Sequence, residues 1–157
     1  MKVLFLASEA TPFIKVGGLA DVAGELPPVL HQLGVDIRLG MPFYPSIRSS
    51  QEARKITSLN IPYEHGEQSA EISMIEREDG FVYLVDGEAV RAGEGVYADP
   101  AQDAVKFTFT ALAALMACEQ LDWRPDILHA NDWHMAPAIA WLHERRKHDA
   151  FWRNTAT

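Results

Sequence analysis

The chain has 157 residues, 48% hydrophobic and 23% charged, enough for one compact domain with its own core. A formal net charge of −8, with no Lys/Arg run beyond the short Arg145-Arg146-Lys147 at an expected helix end, excludes a nucleic-acid footprint. The single cysteine, Cys118, excludes a disulfide framework; the apolar runs at Val3-Leu4-Phe5-Leu6-Ala7 and around Ala111 to Cys118 are too short for a signal peptide or a membrane span, so a soluble cytoplasmic protein with no membrane partner is expected.

Lys2 to Ser8 reads as a buried parallel strand, because its apolar run is continuous rather than alternating. Glu9 to Val16 is a loop broken by Pro12. Gly18 to Leu33 is expected to be helical, with Leu19, Val22, Ala23, Leu26 and Leu30 on one face and Gly34 as its stop. Pro27-Pro28 should kink that helix or end its first half. Val35 to Met41 is a second strand, followed by a turn bracketed by Pro42 and Pro45, and Ile56 to Ile61 is a weaker strand. Ser69 to Glu76 and Phe81 to Asp86 alternate on either side of Asp79-Gly80, a hairpin signature. Gly87 to Ala98 holds three of the ten glycines and reads as a mobile loop. Asp99-Pro100-Ala101-Gln102 has the form of a capping box opening a helix to about Leu121, with Phe107, Phe109, Leu112 and Leu115 in the core. Asp126 to Ala130 is a short parallel-type strand, and Asp132 is expected to cap a last helix from Trp133 to about Arg146. The alternation implies an α/β fold: a Rossmann-like, mostly parallel sheet with helices on both faces and a small antiparallel hairpin.

Two stretches carry chemistry. Lys15-Val16-Gly17-Gly18-Leu19-Ala20-Asp21-Val22 lies between a strand and a helix. Paired glycines let the backbone approach a ligand, the helix start favours an anion, and Lys15 adds a full charge, so the combination suggests a phosphate site. It is neither a P-loop nor a G-x-G-x-x-G fingerprint, although Gly24 fits close helix–strand packing. The second stretch, Asp126-Ile127-Leu128-His129-Ala130-Asn131-Asp132-Trp133-His134, is again strand end and helix start. In open α/β sheets ligands bind outside the carboxyl ends of the strands, which brings both stretches to one crevice. His134, near the second helical position, is expected neutral and suited to sugar hydroxyls. His129 reads as a core or supporting residue. No metal site is expected from His129, Asp132 and His134, because their spacing matches no usual ligand pattern, and no cofactor is implied.

Each feature also has a purely structural alternative. A Gly-Gly turn often only permits close packing, Asp21 can simply favour the dipole of its helix, and Trp133 and Trp141 can be packing residues. The residues alone leave open an enzyme, a non-catalytic module that binds an anionic metabolite, and a flavodoxin-like nucleotide binder.

Lys15 through Pro27, Lys-Val-Gly-Gly-Leu-Ala-Asp-Val-Ala-Gly-Glu-Leu-Pro, resembles the N-terminal signature of bacterial glycogen synthases and plant starch synthases. His129-Ala130-Asn131-Asp132-Trp133-His134 resembles their second signature, with asparagine where histidine is commoner at position 131; Ser8-Glu9, Pro12, Pro42 and Tyr44-Pro45 also fit. The stretch from Asp86 to Asp99 is shorter than the family's aromatic-rich loop. The resemblance implies the N-terminal half of a GT-B glycosyltransferase, with residues 1–157 forming one Rossmann-like domain and a second domain required in cis. It implies transfer of glucose from ADP-glucose to the non-reducing end of an α-1,4-glucan with retention and without metal; a related glycosyltransferase using another sugar nucleotide, or a non-catalytic module that holds glucan, is the alternative. By residue match, Lys15 would contact the donor phosphates, Gly17 and Gly18 would bring backbone N–H groups there, Asp21 would lie near the sugar or acceptor, and His134 would hydrogen-bond the transferred glucose. Asn154 to Thr157 reads as the lead-in to a further strand, so the chain is expected to be truncated and to hold half an active site.

Overall fold

The apolar run at the start of the chain becomes an inner strand of the sheet. The computed structural model describes residues 1–63, 66–93 and 95–157. Strand β1 (Lys2–Leu6) lies between β2 (Asp36–Pro42) and β6 (Ile127–Ala130), parallel to both, and Val3 to Leu6 are buried. Burial on both faces explains why that segment does not alternate. The six strands run in the order β3-β4-β5-β2-β1-β6, with β3 (Arg54–Tyr63), β4 (Gly66–Arg77) and β5 (Gly80–Gly87) following β1 and β2 in sequence. β5 is parallel to β2, whereas β3–β4 and β4–β5 are antiparallel. The expected hairpin is therefore the inner half of a three-stranded meander. Its turn is one residue earlier than expected, since Gly80 already pairs with Arg77.

Helix α1 (Leu19–Gln32) and helix α4 (Pro100–Gln120) cover opposite faces. Ile37 and Leu39 of β2 share an apolar cavity with Ala23 and Pro27 of α1. Gly40, of the other parity, lies against Ala114 of α4. Alternate residues of one strand point to opposite faces, so the two helices must too. Helix α5 (Asp132–Arg145) packs on α4 and β6, and two one-turn helices, α2 (Pro45–Arg48) and α3 (Glu88–Arg91), follow β2 and β5.

Several expectations change. α1 runs unbroken through Pro27 and Pro28. The two missing N–H groups are offset by burial of Ala20, Ala23 and Pro27, tertiary packing of the kind that supplies most helix stability. The buried line is set by these small residues; Leu19, Leu26 and Leu30 are half-buried and Val22 is exposed. The helix stops as expected: Gly34 at φ +84° donates to His31 O and Val35 donates to Leu30 O. The stretch 87–98 is not a free loop. It contains α3, buries Val90 and Val96, and packs Gly87 under Phe109; Glu94 lies outside the described residues. Asp99 caps α4 by accepting from Ala101 and Gln102 N–H groups, with Pro100 at the first helical position. Phe107, Phe109 and Leu115 are core, as expected, and Leu112 packs on the edge of it. Asn131, rather than Asp132, is the N-cap of α5, and His129 is exposed on edge strand β6, its ring 4.5 Å from that of Phe5. Ala156 makes a parallel bridge to Ile127, so the last residues do begin to pair along β6.

Gly24 serves helix–loop rather than helix–strand packing. A Cβ there would lie 2.0 Å from Thr11 Oγ1 and 2.5 Å from Thr11 O. The carbonyl oxygen is fixed, because Thr11 N donates to Ala20 O and anchors the loop to the helix. Gly24→Ala should destabilise the fold by about 1–3 kcal/mol through overpacking, read as a lower denaturation midpoint. An unchanged midpoint would show that the Thr11 loop yields freely.

Candidate functional site

The two chemical stretches meet at the carboxyl ends of β1 and β6. Leu6 and Ala130 are register partners, and Asn131 locks the strand ends together by donating its backbone N–H and its side-chain Nδ2 to the same Leu6 carbonyl, at 3.0 and 2.8 Å. Tyr44, from the turn after β2, donates its hydroxyl to Ser8 O at 2.8 Å. Burial raises the Tyr44 pKa far above its ordinary value, which keeps that donor protonated.

Glu9 organises the loop between β1 and α1. Its side chain is buried, and one oxygen accepts from both Val16 N and Gly17 N, the latter at 2.9 Å. The other oxygen accepts from the Tyr97 hydroxyl at 3.1 Å. A carboxylate can only accept, so the Tyr97 hydroxyl donates its hydrogen bond to Glu9 and Ser8 Oγ donates to Tyr97 Oη at 2.9 Å. Desolvation pushes the Tyr97 pKa up to about 12, consistent with a neutral phenol. Tyr97 was not singled out by the sequence; the only signal was an aromatic residue inside a Gly-rich polar stretch.

This arrangement revises the roles expected of the glycines. The Gly17 N–H is committed to Glu9. Gly18 is the N-cap of α1 and has no side chain to satisfy the first-turn N–H groups, so the helix start is the donor surface that the loop presents. Lys15 is exposed but paired: its ammonium lies 2.7 Å from each oxygen of Asp21, in the first turn of α1, and both side chains are about half exposed. An exposed pair of this kind is worth at most about 1 kcal/mol, so it opens readily toward a stronger anion.

His134 stands at the third position of α5, which starts at the same carboxyl end of the strands. Its ring is stacked on Tyr97 at 5.0 Å, edge-on to Phe107 at 4.7 Å, and tilted against Trp133 at 4.2 Å. The imidazole is therefore clamped between aromatic rings and only 5% exposed, instead of projecting freely. Its Nδ1 is buried without a hydrogen-bond partner, 3.9 Å from an Asp132 oxygen. Desolvation holds the His134 pKa below its ordinary value, against the opposing pull of Asp132, Glu9 and Asp103. The expected neutral histidine thus has burial as its main cause. Asp132 adopts a left-handed φ of +61°, uncommon for a residue with a side chain, and its carboxylate accepts from Trp133 N at 2.7 Å. Trp133 leaves about half its surface exposed beside His134. Lys15, Gly17, Gly18, Asp21 and His134 thus all belong to the strand-end region, with Glu9 and Tyr97 linking the glycine loop to the histidine. No cluster of metal-ligating side chains exists among the described residues, and no described helix is long and apolar enough to cross a membrane.

The buried imidazole has a pH consequence. His134 takes up a proton near its ordinary pKa of about 6.5 when unfolded but resists it when folded, so the unfolded state binds more protons as pH falls. Stability contributed by the neutral ring is present above that pH and is lost below it. Between about pH 7.5 and 5.5, the wild type should lose more unfolding free energy than His134→Gln, measured by denaturant titration at each pH. Equal losses would show that the ring is not held neutral.

Comparison with known proteins places this geometry. The family model for the starch synthase catalytic domain matches residues 2–157. Glycogen synthase from Aeromonas salmonicida is 40% identical over 161 aligned residues, covering 99% of this chain and 33% of the relative. Glycogen synthase from Clostridium botulinum (strain Alaska E43) is 40% identical over 156, covering 97% and 32%. Among solved structures, the catalytic domain of starch synthase IV from Arabidopsis thaliana, bound to ADP and acarbose, superposes with a TM-score of 0.83 at 23% identity, over 98% of this chain and 32% of that one. That likeness shows the fold, and the chain spans about a third of the length of the curated relatives it matches.

Proposed function

The chain belongs to the starch synthase catalytic-domain family, and from that membership we propose that it forms the N-terminal half of a GT-B glucosyltransferase. In this reading the whole protein moves glucose from ADP-glucose to the non-reducing 4-hydroxyl of an α-1,4-glucan, with retention. The names of its glycogen synthase relatives support the reaction class. The ADP and acarbose bound by the Arabidopsis enzyme support a nucleotide sugar and a glucan as the two substrates. A second domain in cis would complete the cleft.

The observation that carries the reading is the exposed Lys15–Asp21 pair at a helix start without a side-chain cap, at the same strand-end edge of the sheet from which the His134 helix departs. Breaking the glycosidic bond to the diphosphate moves negative charge onto the leaving group. Lys15, released from Asp21, neutralises that charge, and the first-turn N–H groups of α1 add a fixed dipole aimed at it. Gly17 serves by holding the turn on Glu9, and Gly18 by leaving the helix start open. Asp21, freed of its partner, faces the sugar and acceptor side. His134, neutral in its aromatic clamp, can donate or accept one hydrogen bond to a glucose hydroxyl, and the half-exposed face of Trp133 next to it suits the apolar face of a sugar ring. The chemistry then rests on positioning and electrostatics.

The test is incorporation of labelled glucose into glycogen by the protein as its gene encodes it, with ADP-glucose and UDP-glucose compared as donors. ADP-glucose should be used in preference. Lys15→Ala should lower turnover by two to three orders of magnitude with the fold intact, about 3–4 kcal/mol of lost transition-state stabilisation. Wild-type turnover in that variant would remove Lys15 from the mechanism. Donor or glucan binding without any transfer by the wild type would favour the non-catalytic binding module instead.

A further inference from the structure

Behind the Tyr97 ring lies a buried charge that the transfer chemistry does not use. Lys106, on α4, is only 2% exposed. Its ammonium donates to Asp103 Oδ1 at 2.8 Å and to the Val96 carbonyl at 2.7 Å, with a longer contact to Gly95 O at 3.5 Å. These acceptors match the three N–H donors of the ammonium. Asp103, also buried, accepts from Ala98 N, at 3.1 Å to Oδ2. One ion pair therefore grips the backbone on both sides of Tyr97: carbonyls 95 and 96 through the lysine, amide 98 through the aspartate. These residues belong to no helix or strand ladder, and Gly95 turns at φ +77°.

A buried ion pair contributes little net stability, because desolvating both charges offsets most of their attraction. Its contribution here is geometric. The Tyr97 hydroxyl reaches Glu9, and Glu9 holds Val16 and Gly17 beside Lys15. We propose that Asp103 and Lys106 are positioning residues: by fixing the 95–98 backbone they set Tyr97 on Glu9, and through Glu9 they set the Val16-Gly17 turn that presents Lys15 to the donor. The consequence for donor binding rests on the function proposed above; the consequence for the turn does not.

Amide hydrogen exchange on the protein as its gene encodes it separates the two. Lys106→Met should speed exchange of the Val16 and Gly17 amides at least tenfold while the β1 amides keep their protection. Lys106→Arg, which keeps the charge and the donors, should restore slow exchange. The coupling runs through one hydroxyl, so in the Tyr97→Phe background Lys106→Met should add nothing further at Val16 and Gly17. If Lys106→Met leaves Asp103 too costly to bury, the paired change Lys106→Gln with Asp103→Asn removes both charges and is held to the same readout. In steady-state assays the KM for ADP-glucose should rise at least tenfold, with a smaller change in kcat. Unchanged exchange at Val16 and Gly17, a uniform rise across the sheet, or an equal further increase in the Tyr97→Phe background would each overturn the proposal. Wild-type protein without glucosyl transfer, but with the exchange pattern as described, would overturn the function and leave the positioning role standing.

Discussion

A buried carboxylate is the constraint on which the strand-end region depends. Glu9 is 2% exposed, three residues beyond the end of β1 and next to the buried Ser8. A charge so enclosed must be satisfied or the fold loses several kcal/mol. Glu9 is satisfied by two backbone N–H groups and one phenol, drawn from two separate segments. This turns one residue's solvation requirement into the shape of the loop. The Val16-Gly17 turn cannot drift without stranding the carboxylate, and the 95–98 stretch cannot lift without taking away Tyr97. The tight approach at Gly17, where a Cβ would lie 3.3 Å from Glu9 Oε1, gives a packing reason for the first glycine of the pair.

The same arrangement bears on how an acidic domain would receive an anionic donor. With a net charge of −8 and Glu9, Asp21, Asp103 and Asp132 around the region, long-range attraction of a diphosphate is not available. Discrimination must be local. Glu9 is consumed by hydrogen bonds, Asp103 by Lys106, and Asp21 by Lys15. The groups still presented are the helix start of α1 and a lysine held by an exposed, readily opened pair. Short-range donors of this kind gain strength as water is excluded, so under the function proposed above a second domain closing over them would strengthen donor binding.

The fold was largely legible where pattern and burial coincide. The unbroken apolar run of β1, the Gly34 stop, the Asp99-Pro100 cap and the aromatic side of α4 each state a local requirement, and the structure meets it. Misreadings arose where tertiary packing decides. Pro27-Pro28 offers an end to the first half of the helix because the sequence cannot show that α1 packs on β2 with Ala20, Ala23 and Pro27 buried. The stretch 87–98 reads as a loop because its anchors, Lys106, Asp103 and Phe109, lie beyond it on α4. His129 reads as a core or supporting residue at a strand end; β6 is the edge strand, and His129 is exposed there with its ring against Phe5. Within the site, the resemblance picked out residues on two segments that the structure links through Glu9 and Tyr97. It gave no means of seeing that Glu9 already occupies the Gly17 N–H, or that Tyr97 links the two motifs.

Asn131 and Asp132 show how the second motif reaches this position. β6 is only four residues long, too short for its ladder alone to fix the path of the chain into α5. Asn131 compensates by placing two hydrogen bonds on Leu6 O, tying the end of β6 to the end of β1 at the point where the Glu9 loop departs. The chain must then turn sharply into α5, and Asp132 makes that turn in the left-handed region that aspartate tolerates better than most side chains. Its carboxylate accepts from the next N–H, so the residue that bends the backbone also satisfies a first-turn donor. The turn sets the first residues of α5 directly against Tyr97 and Phe107, which is where His134 is enclosed and binds a proton less readily than a free imidazole. Strand pairing, a strained turn and aromatic packing thus act in series, and the neutral histidine is their product.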